Sequence, residues 1–386
     1  MSAPRANDCI EDRDLLRGLR VLDLSQFIPG PYATRILADQ GAEVIKVEPP
    51  RGDPMRTLLH RGDAALSPVY RAINRGKRIC ALDLKSDDGQ RALIELARGA
   101  DVLLESFRPG VMTRLNLGWP TLREINPAMI YCSLSGYGQR GRYRARAGHD
   151  INYCAAAGLL SAPTAGEPAR PAFAFPPIAD HAAAMLAANA ILAALYARAH
   201  HRDARGRHLD VSIYESVLAF NYLSNLRAAG CDIGHIDFLS GNAACYNLYQ
   251  TADRRFVSLG AVETKFWCAF CDAMDQPEWI ARQHEAFPQR ALIAEVQARF
   301  AAQPLAHWNA LLLDVECCYE PVPRSHQVLR HPQTRDRELA TEHDIRYPAW
   351  IDDAPANAPK SMEMIDGATL DWRATKIQSQ QTNPPT

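Results

Sequence analysis

The sequence predicts an α/β protein, with a large domain on a parallel sheet and a smaller α+β domain after it. Three observations carry this. A strand at residues 19–24, a helix at 32–40 and a strand at 42–47 follow one another closely, which makes a βαβ unit with parallel strands. Short apolar strands then alternate with helices as far as residue 134. Beyond residue 241 the pattern changes to a hairpin over 246–259, turning at 252–255. A chain of 386 residues is long enough for two or three such domains.

In the first helix Ala33, Ile36 and Leu37 fall on one face, and Gly41 stops it. The turn before it, Phe27-Ile28-Pro29-Gly30-Pro31, stands at the carboxyl end of the first strand, where open α/β sheets bind ligands. It is not a G-x-G-x-x-G loop, so no dinucleotide site is read there. Residues 49–66 read as a polar loop carrying Arg51, Arg56 and Arg61. Asn74-Arg75-Gly76-Lys77-Arg78 is a compact basic turn. A glycine between cations suits contact with a phosphate, and it equally suits a solvated charged turn. Strands at 79–84, 101–105 and 129–134 are separated by helices at 86–99, 111–117 and 120–126. Asp87 and Asp88 open the first of these helices and Arg98 closes it, in the sense its dipole favours.

Two later loop-to-helix junctions carry titratable groups. Gly148-His149-Asp150-Ile151-Asn152-Tyr153 leads into a small-residue run at 154–160, and Pro176-Pro177-Ile178-Ala179-Asp180 leads into another at 182–195. A helix start favours anions and developing negative charge, so a His and an Asp there suit proton exchange with a carbon acid. The plainer reading makes Asp150 and Asp180 N-caps and His149 a buried structural histidine. Both stay open on pattern alone. After a strand at 208–212 and a helix at 215–228, the hairpin leads to Glu263, just before a helix at 265–274, where a carboxylate is again a good cap.

Composition narrows the function classes. The formal net charge is -1, with no basic field for nucleic acid. Residues 1–13 are polar and lack the apolar centre of a signal peptide. No run is read as crossing a membrane; the Ala-rich stretch at 182–199 comes nearest but holds Asn189 and Arg198. A cytoplasmic protein is expected. The ten cysteines are scattered, and Cys268 and Cys271 have no second pair at zinc-site spacing, so no metal is expected. Residues past about 375 have few apolar anchors and are expected to be disordered.

A set of longer stretches points to one family. They include Val21-Leu22-Asp23-Leu24-Ser25, Pro29-Gly30-Pro31-Tyr32-Ala33, and Gly41-Ala42-Glu43-Val44-Ile45-Lys46-Val47-Glu48. Further on are Asp101-Val102-Leu103-Leu104-Glu105, Phe107-Arg108-Pro109-Gly110-Val111, Ser135-Gly136-Tyr137-Gly138-Gln139, the His149 stretch, and Gly260-Ala261-Val262-Glu263. Together they resemble the family III CoA-transferase superfamily of CaiB/BaiF type, and within it the α-methylacyl-CoA racemases. The likeness spans residues 16 to about 337.

The resemblance implies a Rossmann-like large domain, formed by residues 1–207 and completed by the returning segment 331–386. Linker helices at 208–241 and a small domain at 242–330 lie between. It implies an interlocked homodimer, with the active site where large and small domains meet. CoA is expected on the large domain. Leu82, Asp83, Leu84, Lys85, Ser106, Phe107, Arg108, Arg114, Gly148, Asp150, Ile151, Asn152 and Tyr153 match the CoA-contacting segments. The expected partner is an acyl-CoA, with no cofactor beyond that CoA, in lipid metabolism.

For a racemase the resemblance assigns His149 and Asp180 as the two acid/base groups on either side of a planar enolate, with Glu263 supporting His149. For a transferase Asp180 alone is the nucleophile, forming an acyl anhydride and then an aspartyl-CoA thioester. The Gly-His-Asp-Ile-Asn-Tyr form favours the racemase. Against it, His181-Ala182-Ala183-Ala184 stands where racemases carry glycines, and His181 is a competing base beside Asp180. Pro49 likewise stands where they often carry an arginine. A third alternative, a non-catalytic CoA-binding subunit, is disfavoured because His149, Asp180 and Glu263 are all present.

Overall fold

The computed structural model describes residues 13–58, 66–161, 173–201, 204–231, 239–341, 344–367 and 370–372. The expected tail past 375, Arg61 and most of the 230–241 linker lie outside the described residues. The chain falls into two compact units. One holds Met1–Ala157, Ala174–Phe220 and Pro332–Thr386, the other Gly158–Phe173 and Asn221–His331. The first unit therefore runs past residue 207, where a linker was expected, and residues 158–173 go with the second.

In chain order the strands are β1 (Arg20–Leu24), β2 (Glu43–Glu48), β3 (Arg78–Ala81), β4 (Val102–Glu105), β5 (Ile130–Ser135) and β6 (His208–Ser212), then β7 (Tyr246–Gln250), β8 (Phe256–Gly260) and β9 (Tyr319–Pro321), then β10 (Trp350–Ile351), β11 (Ala354–Pro355) and β12 (Glu363–Met364). The first unit is built on a seven-stranded sheet of order β12-β3-β2-β1-β4-β5-β6. Every neighbouring pair is parallel. The β6 strand, expected in the linker, pairs with β5 from Tyr131↔His208 to Ser135↔Ser212. Strands covered on both faces need apolar side chains throughout, and β4 and β5 are buried at every residue.

The strand order reverses between β1 and β4, so the turns after these strands flank the switch-point crevice. The Gln26 N–H donates to Ser106 Oγ at 3.0 Å and ties one turn to the other. The helix after β1 spans Pro29–Asp39, three residues earlier than its expected start at 32. Its prolines sit in the first turn, where a missing N–H costs nothing. Gly30 is required there, because a Cβ would collide with Ser25. The loop expected at 49–66 is followed by an unexpected helix, Pro68–Asn74, capped by Ser67. The helix expected over 215–228 is two, Ile213–Phe220 and Tyr222–Ala228.

Charged groups lie buried beneath the β1 turn. Lys77 Nζ sits 2.9 Å from Asp23 Oδ2 and also donates to the Pro31 carbonyl at 2.8 Å. Lys46 Nζ is 3.1 Å from Asp53 Oδ2 and donates to the Ser25 carbonyl at 2.6 Å. Burial pushes the Asp23 carboxyl up, but Lys77 and Lys46, with the Ser25 and Thr34 hydroxyls, overcome it and hold the group well below the usual carboxylate range. Burial pushes the Lys77 ammonium down to about 8 against the attraction of Asp23. The basic turn is thus neither a phosphate cradle nor a solvated loop. Lys77 is buried, Arg75 pairs with Asp39 and Asp344 at 2.6 and 2.5 Å, and Arg78 pairs with Glu43 at 2.8 Å.

The helix Ile178–His200 has 23 residues and a mean hydropathy of 1.6 in its most apolar window, long and apolar enough by those measures to cross a membrane. In the first unit one side of it, with Ala179, Ala183, Ala187, Ile191 and Ala194, is buried, in part against the Pro29–Asp39 helix. The second unit carries the antiparallel sheet β7-β8-β9, whose hairpin falls where the sequence placed it. Trp267, Phe270, Phe300, Trp308 and Tyr249 form its core.

Lys77→Met is expected to lower stability by about 3 kcal/mol, because it removes one partner of a buried pair. Arg91→Ala, which breaks an exposed pair with Asp88, is expected to cost under about 0.5 kcal/mol. Urea midpoints of the two variants check this. Asp23 titrates lower folded than unfolded, so its contribution is present above about pH 4 and is lost as pH falls below that value.

Candidate active site

His149 is the N-cap of the helix Asp150–Ala156, with extended backbone. Its own N–H donates to Asn152 Oδ1 at 3.0 Å, which fixes the turn. The Tyr153 hydroxyl donates back to the Gly148 carbonyl at 2.8 Å. Gly148 has no side chain because a Cβ would stand 2.9 Å from the Tyr153 ring. These contacts leave the His149 imidazole exposed, edge-on to the Phe27 ring with centroids 6.4 Å apart. His149 is therefore not the buried structural histidine of the plainer reading.

The carboxylate of Asp150 does not cap its own helix. Its Oδ1 accepts the backbone N–H groups of Ala179 at 2.7 Å and Asp180 at 3.1 Å. Asp150 thus satisfies two of the unpaired amides at the start of Ile178–His200, a helix whose N-cap, Pro177, makes no side-chain cap. One carboxylate fastens the two junctions together, and His149 and Asp180 are the neighbours of its two attachment points. Asp180, third residue of its helix, caps nothing either. No side chain among the described residues donates to its carboxylate. Burial, and then the charge of Asp150, push the Asp180 carboxyl up to about 7.

His181 is committed elsewhere. Its Nδ1 is 2.5 Å from the Pro177 carbonyl, and its ring meets Tyr32 edge-on at 4.8 Å. Burial pushes the Tyr153 hydroxyl up to about 12, with Tyr137 and Asp180 adding to the rise and Arg108 opposing it. Arg108 is thereby placed in the electrostatic reach of the Gly148 to Tyr153 stretch.

The other residues matched to CoA contacts lie at the carboxyl edge of the sheet. Leu82, Leu84 and Phe107 share one apolar cluster with Met112 and Leu117. Asp83 turns the chain by accepting the Lys85 N–H at 3.0 Å. Ser106 holds Gln26, while Lys85, Arg108, Arg114, Ile151 and Asn152 are exposed. Glu263 stands in the second unit as the N-cap of Thr264–Ala273, exposed, with a side chain that makes no cap. Its capping role is therefore not the one the sequence suggested. Among the described residues no group of three or more His, Cys, Asp or Glu is set to hold a metal.

The sequence singled out the stretches that hold Phe27 and Glu105, but neither residue for a role of its own. Phe27 holds a left-handed backbone, φ 64°, unusual for an aromatic residue, and its N–H points to the buried Asp53 at 3.4 Å. Glu105 closes β4 at the switch point, and burial pushes its carboxyl up to about 7 although it accepts the Phe107 N–H at 2.8 Å.

A parallel sheet with a reversal beside β1, and two fastened helix starts that carry an exposed imidazole and a half-buried carboxyl, make a candidate α/β enzyme site. The profile of CoA-transferase family III matches residues 16–362, and the chain belongs to that family. It is 34% identical over 348 residues to an acyl-CoA transferase of Fusarium pseudograminearum, covering 85% of this chain and 75% of that one. It is also 34% identical over 335 residues to the alpha-methylacyl-CoA racemase of Mus musculus, covering 84% and 81%. The crystal structure of a CaiB/BaiF family protein from Brucella suis superposes with a TM-score of 0.76 at 26% identity, over 90% of this chain and 96% of that one.

The raised Asp180 carboxyl is a titration that the variant Asp150→Asn addresses. An asparagine oxygen still accepts the Ala179 and Asp180 amides, but the charge is gone. The Asp180 midpoint, followed by carboxyl carbon NMR, is expected to fall below 7. Stability carries the same signature with the opposite sign to Asp23. This term is most favourable below about pH 4 and is lost as pH rises through about 7. Asp180→Asn is thus expected to raise the urea midpoint at pH 8 and leave it unchanged at pH 4.

Proposed function

We propose that the chain racemises a 2-methylacyl-CoA at its α-carbon by 1,1-proton transfer through an enolate. His149 takes or returns the proton on one face, and Asp180 does so on the other. The observation that carries this reading is the Asp150 carboxylate, which joins the two helix starts that bear these groups. A carboxyl pushed up to about 7 suits a group that must both accept and donate a proton near neutral pH. The Ala179 and Asp180 amides already belong to Asp150. The enolate oxygen is therefore assigned to the Asp150 and Ile151 amides, which have no acceptor among the described residues. Glu263 is proposed to support His149. The reading also takes in an interlocked homodimer, CoA on the first unit, no cofactor beyond that CoA, and a cytoplasmic location.

A second reading has its own support. Asp180 has no hydrogen-bond donor on its carboxylate among the described residues, which suits a nucleophile. The relative named acyl-CoA transferase is as similar as the one named racemase. In that reading Asp180 attacks the thioester carbonyl and the CoA thiolate leaves, then attacks the aspartyl carbonyl of the anhydride, releasing the first acid and leaving an aspartyl-CoA thioester. A second carboxylate displaces CoA from Asp180 to form a new anhydride, and CoA attacks the acyl carbonyl of that anhydride, giving the new acyl-CoA and freeing Asp180.

Proton NMR of a 2-methylacyl-CoA in deuterated water, without added acid, separates the two. Loss of the α-proton signal with racemisation is expected. His149→Ala and Asp180→Ala are each expected to slow that exchange about a hundredfold or more, and Glu263→Gln less. No exchange, together with CoA transfer once a carboxylic acid is added, would replace the first reading with the second.

A further inference from the structure

Phe27 is the strained residue of the site, and the reaction above gives it no part. Its φ of 64° lies in the left-handed region, where a Cβ crowds the following carbonyl and glycine is the residue at home. Several contacts in the first unit impose that backbone. The Phe27 N–H points to Asp53 Oδ1 at 3.4 Å, and the Gln26 N–H before it donates to Ser106 Oγ at 3.0 Å. Lys46 Nζ donates to the Ser25 carbonyl at 2.6 Å, two residues before Phe27. Asp53 in turn meets Lys46 at 3.1 Å, so one buried pair grips the turn at two points.

Burial does not explain an aromatic residue there. Phe27 is 39% exposed, whereas Ile28 beside it packs into the cluster of Met55, Tyr70 and Ile79. Its aromatic ring contact among the described residues is the His149 imidazole, edge-on with centroids 6.4 Å apart. That imidazole is exposed, and among the described residues of the first unit no carboxylate lies within ion-pair distance of it. An exposed imidazole held by nothing turns between rotamers, while proton transfer needs one ring nitrogen aimed at the α-carbon. An edge-to-face ring pair biases such an equilibrium by up to about tenfold. The left-handed backbone sets the direction in which the Phe27 Cβ leaves the turn, and with it where the ring stands.

We propose that Phe27 is a positioning residue. Its ring holds the His149 imidazole in the orientation from which it exchanges the α-proton, and the buried charges beneath the turn maintain the strained backbone that puts the ring there. This rests on the racemase reading above and deepens it.

The experiment compares Phe27→Gly, which removes both ring and strain, with Phe27→Leu and Phe27→Tyr in the full-length protein. It reads the urea midpoint, the His149 imidazole proton NMR shifts without ligand, and kcat and KM for α-proton exchange of a 2-methylacyl-CoA in deuterated water. Phe27→Gly is expected to keep or exceed the wild-type urea midpoint and to move the His149 ring shifts. Its kcat is expected to fall about tenfold, with KM within about twofold of wild type. Phe27→Leu is expected to lose kcat to a similar degree, and Phe27→Tyr, which keeps the ring, to recover most of it. A lowered urea midpoint with kcat kept in all three variants overturns the proposal, because the side chain is then structural only. A raised KM at unchanged kcat also overturns it, and makes the ring a substrate contact. Unmoved His149 shifts in Phe27→Gly overturn the ring contact itself. Exchange in the wild type that no Phe27 variant slows leaves the racemase reading standing and sinks this inference alone. If the wild-type protein exchanges no α-proton, the racemase reading fails, and this inference with it.

Discussion

The site depends on one carboxylate. Asp150 accepts the amides of Ala179 and Asp180, and these hydrogen bonds hold the start of a 23-residue helix against the start of a short one. A charge-assisted bond of this kind is stronger than a neutral one, and helix-start amides are the groups most in need of an acceptor. Two consequences follow from the same contact. It fixes where Asp180 stands relative to the turn that carries His149. It also sets a negative charge beside a carboxyl that burial already disfavours as an ion. Positioning and pKa tuning thus come from one interaction.

The turn after β1 is held from below by buried charge. Asp23, Lys46, Asp53 and Lys77 are all buried, and each meets a partner of opposite sign. Such pairs give little net stability against an apolar alternative, but losing one member leaves an uncompensated charge. Their value here is geometric. Lys77 and Lys46 bind the Pro31 and Ser25 carbonyls, on either side of Phe27. Phe27 keeps its left-handed backbone above them, with its ring against His149. Buried ion pairs beneath the turn, rather than the turn's own residues, fix this part of the site.

Much of the fold was legible because apolar runs such as Val102 to Leu104 have few ways to be buried other than as inner strands of a parallel sheet. The hairpin and the alternation of strand and helix were legible for the same reason. Errors arose where local chemistry has two uses. Pro29 and Pro31 read as turn residues yet occupy a first helical turn. Arg75, Lys77 and Arg78 read as a phosphate-ready or solvated turn. Their partners Asp39, Asp23, Asp344 and Glu43 lie far off in sequence, so only the folded chain shows those cations neutralised. At the site, the residue types His149, Asp150 and Asp180 were legible. The capping role of Asp150 was not, because its target helix begins almost thirty residues on and no pattern links a carboxylate to a cap at that range.

The most direct measurement is a crystal structure of the protein bound to a 2-methylacyl-CoA. The arrangement described here predicts the α-carbon between the His149 imidazole and the Asp180 carboxylate, one on each face, each within about 3.5 Å of it. The thioester oxygen would lie against the Asp150 and Ile151 amides. A carbonyl carbon set against Asp180 alone, or an acyl group covalently attached to it with His149 turned away, would contradict the two-base arrangement.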